Sequence, residues 1–265
     1  MIAARKYWWV GLTSARSNVA YLNEVLSRTI FIGVILFVFL QLWRVTYIET
    51  GSQQIGGMTL AQMMWYLAMT EAISLSRGTV TAEIDQDVRT GALAIQLIRP
   101  ISYPVYRFAV ALGERIVRFL LNAVVGMIIV LVFVGPIQFT PGGLLMFVIS
   151  LPLAFTLDFL GYLLLGLGAF WLEDTSGLTL IYARLTMILG GTLIPLQLFP
   201  DQFQSLLQLL PFSSVVYGPS RLFVQPDDEF LLNLLLRQGI AIVIFACLAA
   251  VIYRVAVKRI NANGG

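Results

Sequence analysis

The chain reads as an all-α integral membrane protein with six transmembrane helices, and three observations predict this. Of its 265 residues 58 % are hydrophobic and only 12 % charged, with a mean hydropathy of +0.86. A soluble domain is about 45–50 % apolar and about 25 % charged. The apolar residues gather in blocks of roughly 20, the length that crosses about 30 Å of hydrocarbon. Basic residues are shared unequally between the segments that join the blocks. A soluble enzyme, a disordered regulator and a fibrous protein are all excluded by this balance.

The six blocks are 29–48, 58–76, 119–134, 144–172, 177–199 and 239–253. The fourth would be about 43 Å long as a helix. It therefore either begins in the outer interface or bends at Pro152. Thirteen of the 17 Lys and Arg fall on one side of this layout: four before the first block, six between the second and third, and three after the last. Arg44, Arg221 and Arg237 lie on the other side, and Arg184 within a block. Cytoplasmic segments collect positive charge, so both termini are expected in the cytoplasm. The same rule explains the net charge of +3 through the membrane and not through nucleic acid.

The remaining counts limit the chemistry. With no histidine and one cysteine, Cys247, the chain assembles no Cys/His metal site, no internal disulfide and no His relay. Lys6 and Lys258 are the only lysines and neither follows a glycine, so there is no phosphate loop. The chain is expected to bind no cofactor.

Residues 1–28 contain no apolar run long enough for a signal peptide. Tyr7-Trp8-Trp9 beside Arg5-Lys6, followed by Val19, Leu22, Val25 and Leu26, predicts an amphipathic helix on the inner leaflet, either an anchor or something more.

Residues 77–118 are too many for a simple turn. A charged stretch, Glu83 to Arg89, is interrupted by Gly91; the apolar run Ala92 to Ile98 then stops at Arg99-Pro100. A short helix with an apolar face and charged shoulders either docks into a partner's groove or covers inner-leaflet lipid. Residues 200–236 hold two apolar stretches broken by Pro211-Phe212-Ser213-Ser214, each too short to span. They predict a hairpin dipping into the outer leaflet with its backbone covered by other helices.

In this order the features resemble the permease subunits of type-2 ATP-binding-cassette transporters. Gly91-Ala92-Leu93-Ala94-Ile95-Gln96-Leu97-Ile98-Arg99-Pro100-Ile101-Ser102 is similar to the family's first cytoplasmic loop. Leu210-Pro211-Phe212-Ser213 and Tyr217-Gly218-Pro219-Ser220-Arg221 resemble its pattern before the last span. The resemblance implies a multi-pass subunit of a bacterial-type plasma membrane, paired with a second permease chain as homo- or heterodimer. Cytoplasmic ATPase subunits would hold ATP and Mg, and the cargo would be a lipid, glycan or amphipathic small molecule moved outward. The short helix would be the coupling helix, with Asp87, Val88, Arg89, Leu93, Ile95, Gln96, Leu97 and Arg99 against the ATPase. Pro211, Tyr217, Gly218 and Pro219 would shape the re-entrant hairpin.

Three ionisable residues lie well inside the ends of the second, fourth and fifth blocks, where a charge costs about 2.5 kcal/mol or far more. Glu71 and Arg184 both sit about 10 Å above the inner edge, which predicts an ion pair clamping two helices. Asp158, about 21 Å from Leu172, is too deep to match Arg184; it is protonated, caps a bend near Pro152, or faces a wet pathway. Gly161, Gly166 and Gly168 allow close helix approach, and Asp174 or Ser176 caps the fifth helix. Two other classes compete. A secondary transporter would move protons through Glu71 and Asp158 and work without an ATPase. An intramembrane enzyme would need a nucleophile or metal that the sequence does not supply.

Overall fold

The computed structural model describes residues 2–20 and 22–263, with side chains over 5–19 and 31–258. Among these residues every regular element is helical. Four helices are long and apolar enough to cross a membrane, over Phe31–Thr50, Tyr103–Phe133, Pro141–Phe170 and Asp228–Lys258. The second and fifth expected crossings differ. The second is α3 (Leu60–Leu75), 16 residues or about 24 Å. The fifth is α8 (Ser176–Leu189), 14 residues, after which Gly190 and Gly191 break the helix before a single 3-10 turn at Leu196–Leu198. Gly191 sits at φ +74, and a Cβ on Gly190 would lie 2.1 Å from the Thr186 carbonyl oxygen, so the glycine pair ends the block's helix early.

The first helix, α1 (Ile2–Ala20), is followed by α2 (Leu22–Thr50), so the expected amphipathic stretch to residue 28 is divided between two helices. Side chains Leu22, Val25 and Leu26 lie outside the described residues. α1 packs along α6 (Tyr103–Phe133). A Cβ on Gly113 would fall 2.2 Å from the Gly11 carbonyl oxygen, so the two helices cross backbone to backbone. Ser14 Oγ donates to the Val110 carbonyl (3.1 Å), and the Ser102 N–H donates to the Tyr7 hydroxyl (2.8 Å). The helix is thus docked on protein, with Trp8 and Trp9 turned outward.

At the centre stands α3, in which every residue from Met63 to Ile73 is buried. A helix apolar all round is what such a position requires. Thr59 and Gln62 close its start with a capping box. α2, α6 and α11 (Tyr217–Val224) surround it. α7 (Pro141–Leu167) runs through Pro152 without ending and lies between α11 and α12 (Asp228–Asn263).

The segment 77–118 is not all loop. α4 (Val80–Arg89) and α5 (Ala92–Leu97) form its first half; its second half is the opening of α6, continuous with the apolar block. The hairpin region holds α9 (Asp201–Leu209), α10 (Pro211–Val215) and α11, three helices where two were expected, and α12 already begins at Asp228. Tyr217, Gly218 and Pro219 are buried in α11, and a Cβ on Gly218 would meet Leu234 of α12 at 2.4 Å. Tyr103 stacks on Tyr253 with centroids 6.4 Å apart. That contact and the Tyr7–Ser102 bond gather α1, α4–α5 and the late part of α12 at one end of the bundle, and the hairpin lies at the other.

Candidate functional site

The α4–α5 segment is a small folded body. Gly91 adopts φ +72, the left-handed turn that lets α5 fold back on α4. Val80, Ile84 and Leu93 pack with Tyr103 and with Phe159, Leu163 and Leu167 of α7. Gly166 is where α4 docks, since a Cβ there would be 2.9 Å from Ile84. Arg107 braces the inside: it donates to Glu83 at 2.6 Å and also to Asp87. Asp87 accepts further bonds from the Tyr103 hydroxyl (2.7 Å) and from Gln96 (3.1 Å).

This geometry corrects the expected contact set. Asp87 is buried as the segment's internal strut, and Leu93, 1 % exposed, belongs to its core. Neither presents itself to a partner. Val88, Gln96 and Leu97 are half-buried, whereas Arg89, Ile95 and Arg99 are exposed. The residue missed is Ile98, 85 % exposed. Helical spacing was the available signal, because Ile95 and Ile98 stand three apart on one face while Leu93 and Leu97 share the other.

At the root of the segment lies a buried charge cluster. Asp158 of α7, wholly buried, accepts from Arg77 (3.0 Å) and from Arg115 of α6 (2.7 Å). The Arg115 guanidinium also covers the Phe155 ring at 4.2 Å. Counted from the hairpin end, Leu60 to Arg77, Phe133 to Arg115 and Pro141 to Asp158 each span 17 or 18 residues, or about 25–27 Å. Three elements thereby deliver charge to one depth. Asp158 therefore neither caps a bend at Pro152 nor stands alone: it ties α7 to α6 and to the junction of α3 with α4.

The expected Glu71–Arg184 clamp is absent. No ion pair within 4.0 Å joins them. Both instead line a cleft of about 600 Å³ between α2, α3 and α8. Glu71 is 6 % exposed and its carboxylate makes no hydrogen bond or ion pair with a described residue; Arg184 is exposed and directs Nη1 at the Met187 sulfur, 3.8 Å away. Equal depth did not bring the two together, because α8 stands away from α3 and packs on α4, α7 and α10.

The cleft and the α4–α5 segment are mechanically joined. α4 continues from α3 through Arg77, and Arg89 reaches Asp174 (3.6 Å) in the turn before α8. Asp174 in turn accepts from the Ser176 N–H (2.8 Å) and hydroxyl (2.7 Å). These bonds, the backbone one first, hold its carboxyl below the usual carboxylate range. Gly161 makes room for Tyr182 of α8, whose hydroxyl would be 2.0 Å from a Cβ there. Both cleft walls that carry charge are thus attached to α4.

A helical bundle with a braced segment at one end, a charged cleft among its apolar helices and no phosphate loop has the layout of a transport permease. The profile described as ABC-2 family transporter protein matches residues 31–264, and the chain belongs to that family. It is a multi-pass membrane protein, the membrane component of an ATP-binding-cassette transporter. None of the curated proteins compared with the chain matches it.

Proposed function

We propose that the chain is the permease half of an ATP-driven exporter, paired with a second permease chain and powered by separate cytoplasmic ATPase subunits that hold ATP and Mg. Its termini and the α4–α5 segment face the cytoplasm, with the hairpin of α9–α11 on the outer side. It crosses the membrane six times, the second and fifth crossings being completed by short helices and irregular chain covered by neighbours. The chain catalyses no reaction itself; the cargo is an amphipathic molecule, and the membrane is a plasma membrane of bacterial type.

One observation carries this reading. Ile95 and Ile98 project from a segment whose interior is fixed by Arg107, Glu83 and Asp87. An exposed apolar pair flanked by Arg89 and Arg99 on a rigid base suits a groove on a partner. A push there reaches α3 through Arg77, α7 through Asp158 and α8 through Asp174. Proton-driven transport through Glu71 and Asp158 is disfavoured, since Asp158 is held between two guanidinium groups.

Co-purification with the cognate ATPase tests the reading. Ile98→Asp and Ile95→Asp should abolish ATPase capture while the permease stays folded and monodisperse. Undiminished capture by both variants would remove the assignment. Leu93→Asp is not a substitute, because it would place a charge in the segment's core.

A further inference from the structure

We infer that the cleft between α2, α3 and α8 binds a zwitterionic amphiphile, its cationic group on Glu71, its anionic group on Arg184 and its apolar body along α2. The inference rests on the permease reading and adds the class of cargo. A cleft of about 600 Å³ lies within the roughly 300–1,000 Å³ of small-molecule sites. Its wall from α2 is Val34, Ile35, Val38 and Phe39, and α8 adds Leu180 and Met187. A cleft with such walls takes an apolar chain.

The charges choose the headgroup. Glu71 lies in the wholly buried run Met63–Ile73 of α3, is itself more than nine-tenths buried, and its carboxylate has no hydrogen-bond or ion-pair partner among the described residues. Arg77 also borders the cleft and attracts Glu71 from beyond ion-pair distance, but its guanidinium is bonded to Asp158. Among the described residues Arg184 meets no acid from the opposite wall. A buried charge without a partner is costly, and a cationic group on Glu71 recovers that cost, while the exposed Arg184 adds attraction for an anionic group beside it. A cationic amphiphile would satisfy Glu71 and be repelled by Arg184; an anionic one would do the reverse. Only a headgroup with both signs answers the two walls together. The hydroxyls of Ser74 and Thr192, 3.5 Å apart, also line the cleft and offer further polar contacts.

Native mass spectrometry on the full chain in maltoside tests this with three homologous probes below their micellar concentrations: dodecylphosphocholine, dodecyltrimethylammonium and dodecyl phosphate. The phosphocholine should bind about tenfold more tightly than either probe that carries one sign of charge, the increment expected of one added ion-pair contact. Glu71→Gln should erase its advantage over dodecyl phosphate, and Arg184→Gln its advantage over dodecyltrimethylammonium. Equal affinities for the three probes on the unaltered chain would overturn the inference, however the variants fold. So would a preference that both variants retain. Phosphatidylethanolamine competing with the same dependence on Glu71 and Arg184 would make the occupant a bilayer lipid, and failure to compete would make it a single-chain cargo. None of these results depends on an ATPase, so failure here leaves the docking of Ile95 and Ile98 to stand or fall separately.

Discussion

Asp158 and Glu71 are both carboxylates carried by apolar helices, yet their surroundings give them opposite work. Asp158 is enclosed and held by Arg77 and Arg115, each from a different element. Glu71, in the buried run of α3, lines a cleft, and its carboxylate bonds to none of its described neighbours. The first is therefore a joint and the second an available charge. Burial alone does not separate them; the presence of a bonded counter-charge does, because a bonded partner offsets the desolvation of Asp158, whereas that of Glu71 is left for a ligand to offset.

The largest expected effect breaks this comparison at its structural side. Asp158→Ala leaves two guanidinium groups buried together, and removing one partner of such an arrangement typically costs about 3–5 kcal/mol. Thermal unfolding of the purified protein should show a matching loss, with poor recovery from the membrane. Glu71→Gln should cost less than about 1 kcal/mol in the same assay, since no bonded partner is abandoned.

A double-mutant cycle sharpens the same contrast. Asp158→Asn with Arg115→Met should show a coupling of about 2 kcal/mol or more, whereas Glu71→Gln with Arg184→Met should add within about 0.5 kcal/mol. Coupling of the second pair as strong as the first would mean that the cleft closes onto a Glu71–Arg184 bridge and that the open geometry is not the stable one.

The α4–α5 segment repeats the contrast at one end of the bundle. Tyr103→Phe removes one of the bonds to Asp87 and should lower stability by about 1 kcal/mol, with ATPase capture weakened and not lost. The smallest effect concerns Asp174. The N-cap of α8 is Thr175, which makes no side-chain cap bond, and Asp174 bonds Ser176 from one residue earlier. The Asp174 carboxyl is held below its ordinary value by Ser176, so these bonds are complete above pH of about 4 and are lost as pH falls through the depressed value. An amide-exchange measurement should find the Ser176 N–H protected at neutral pH and released only in acid, and Asp174→Asn should abolish that pH dependence.

Much of this architecture is legible in the residues. Apolar block length announces the helices, Gly91 and Pro100 bound α5, and Gly161 and Gly166 mark where α8 and α4 settle on α7. The triad is not legible, for a physical reason. Arg77 and Arg115 lie outside the apolar blocks and count as loop charges, yet α6 begins at Tyr103, well before its block. Depth measured from the inner boundary of each block misaligns Asp158 with its partners; measured from the hairpin end, the three positions coincide. The Glu71–Arg184 pairing fails for a related reason, since equal depth says nothing about lateral distance. Asp87 looks like a surface charge in the sequence and becomes a strut only because α6 brings Arg107 and Tyr103 beside it.

The central claim, that the exposed face of α5 meets an ATPase, is tested most directly by site-specific cross-linking in membranes. With Cys247→Ser as background, Ile98→Cys should cross-link to the co-expressed ATPase subunit, while Leu209→Cys, 75 % exposed at the hairpin end, should not. A cross-link from Leu209→Cys and none from Ile98→Cys would contradict both the docking surface and the orientation of the chain in the membrane.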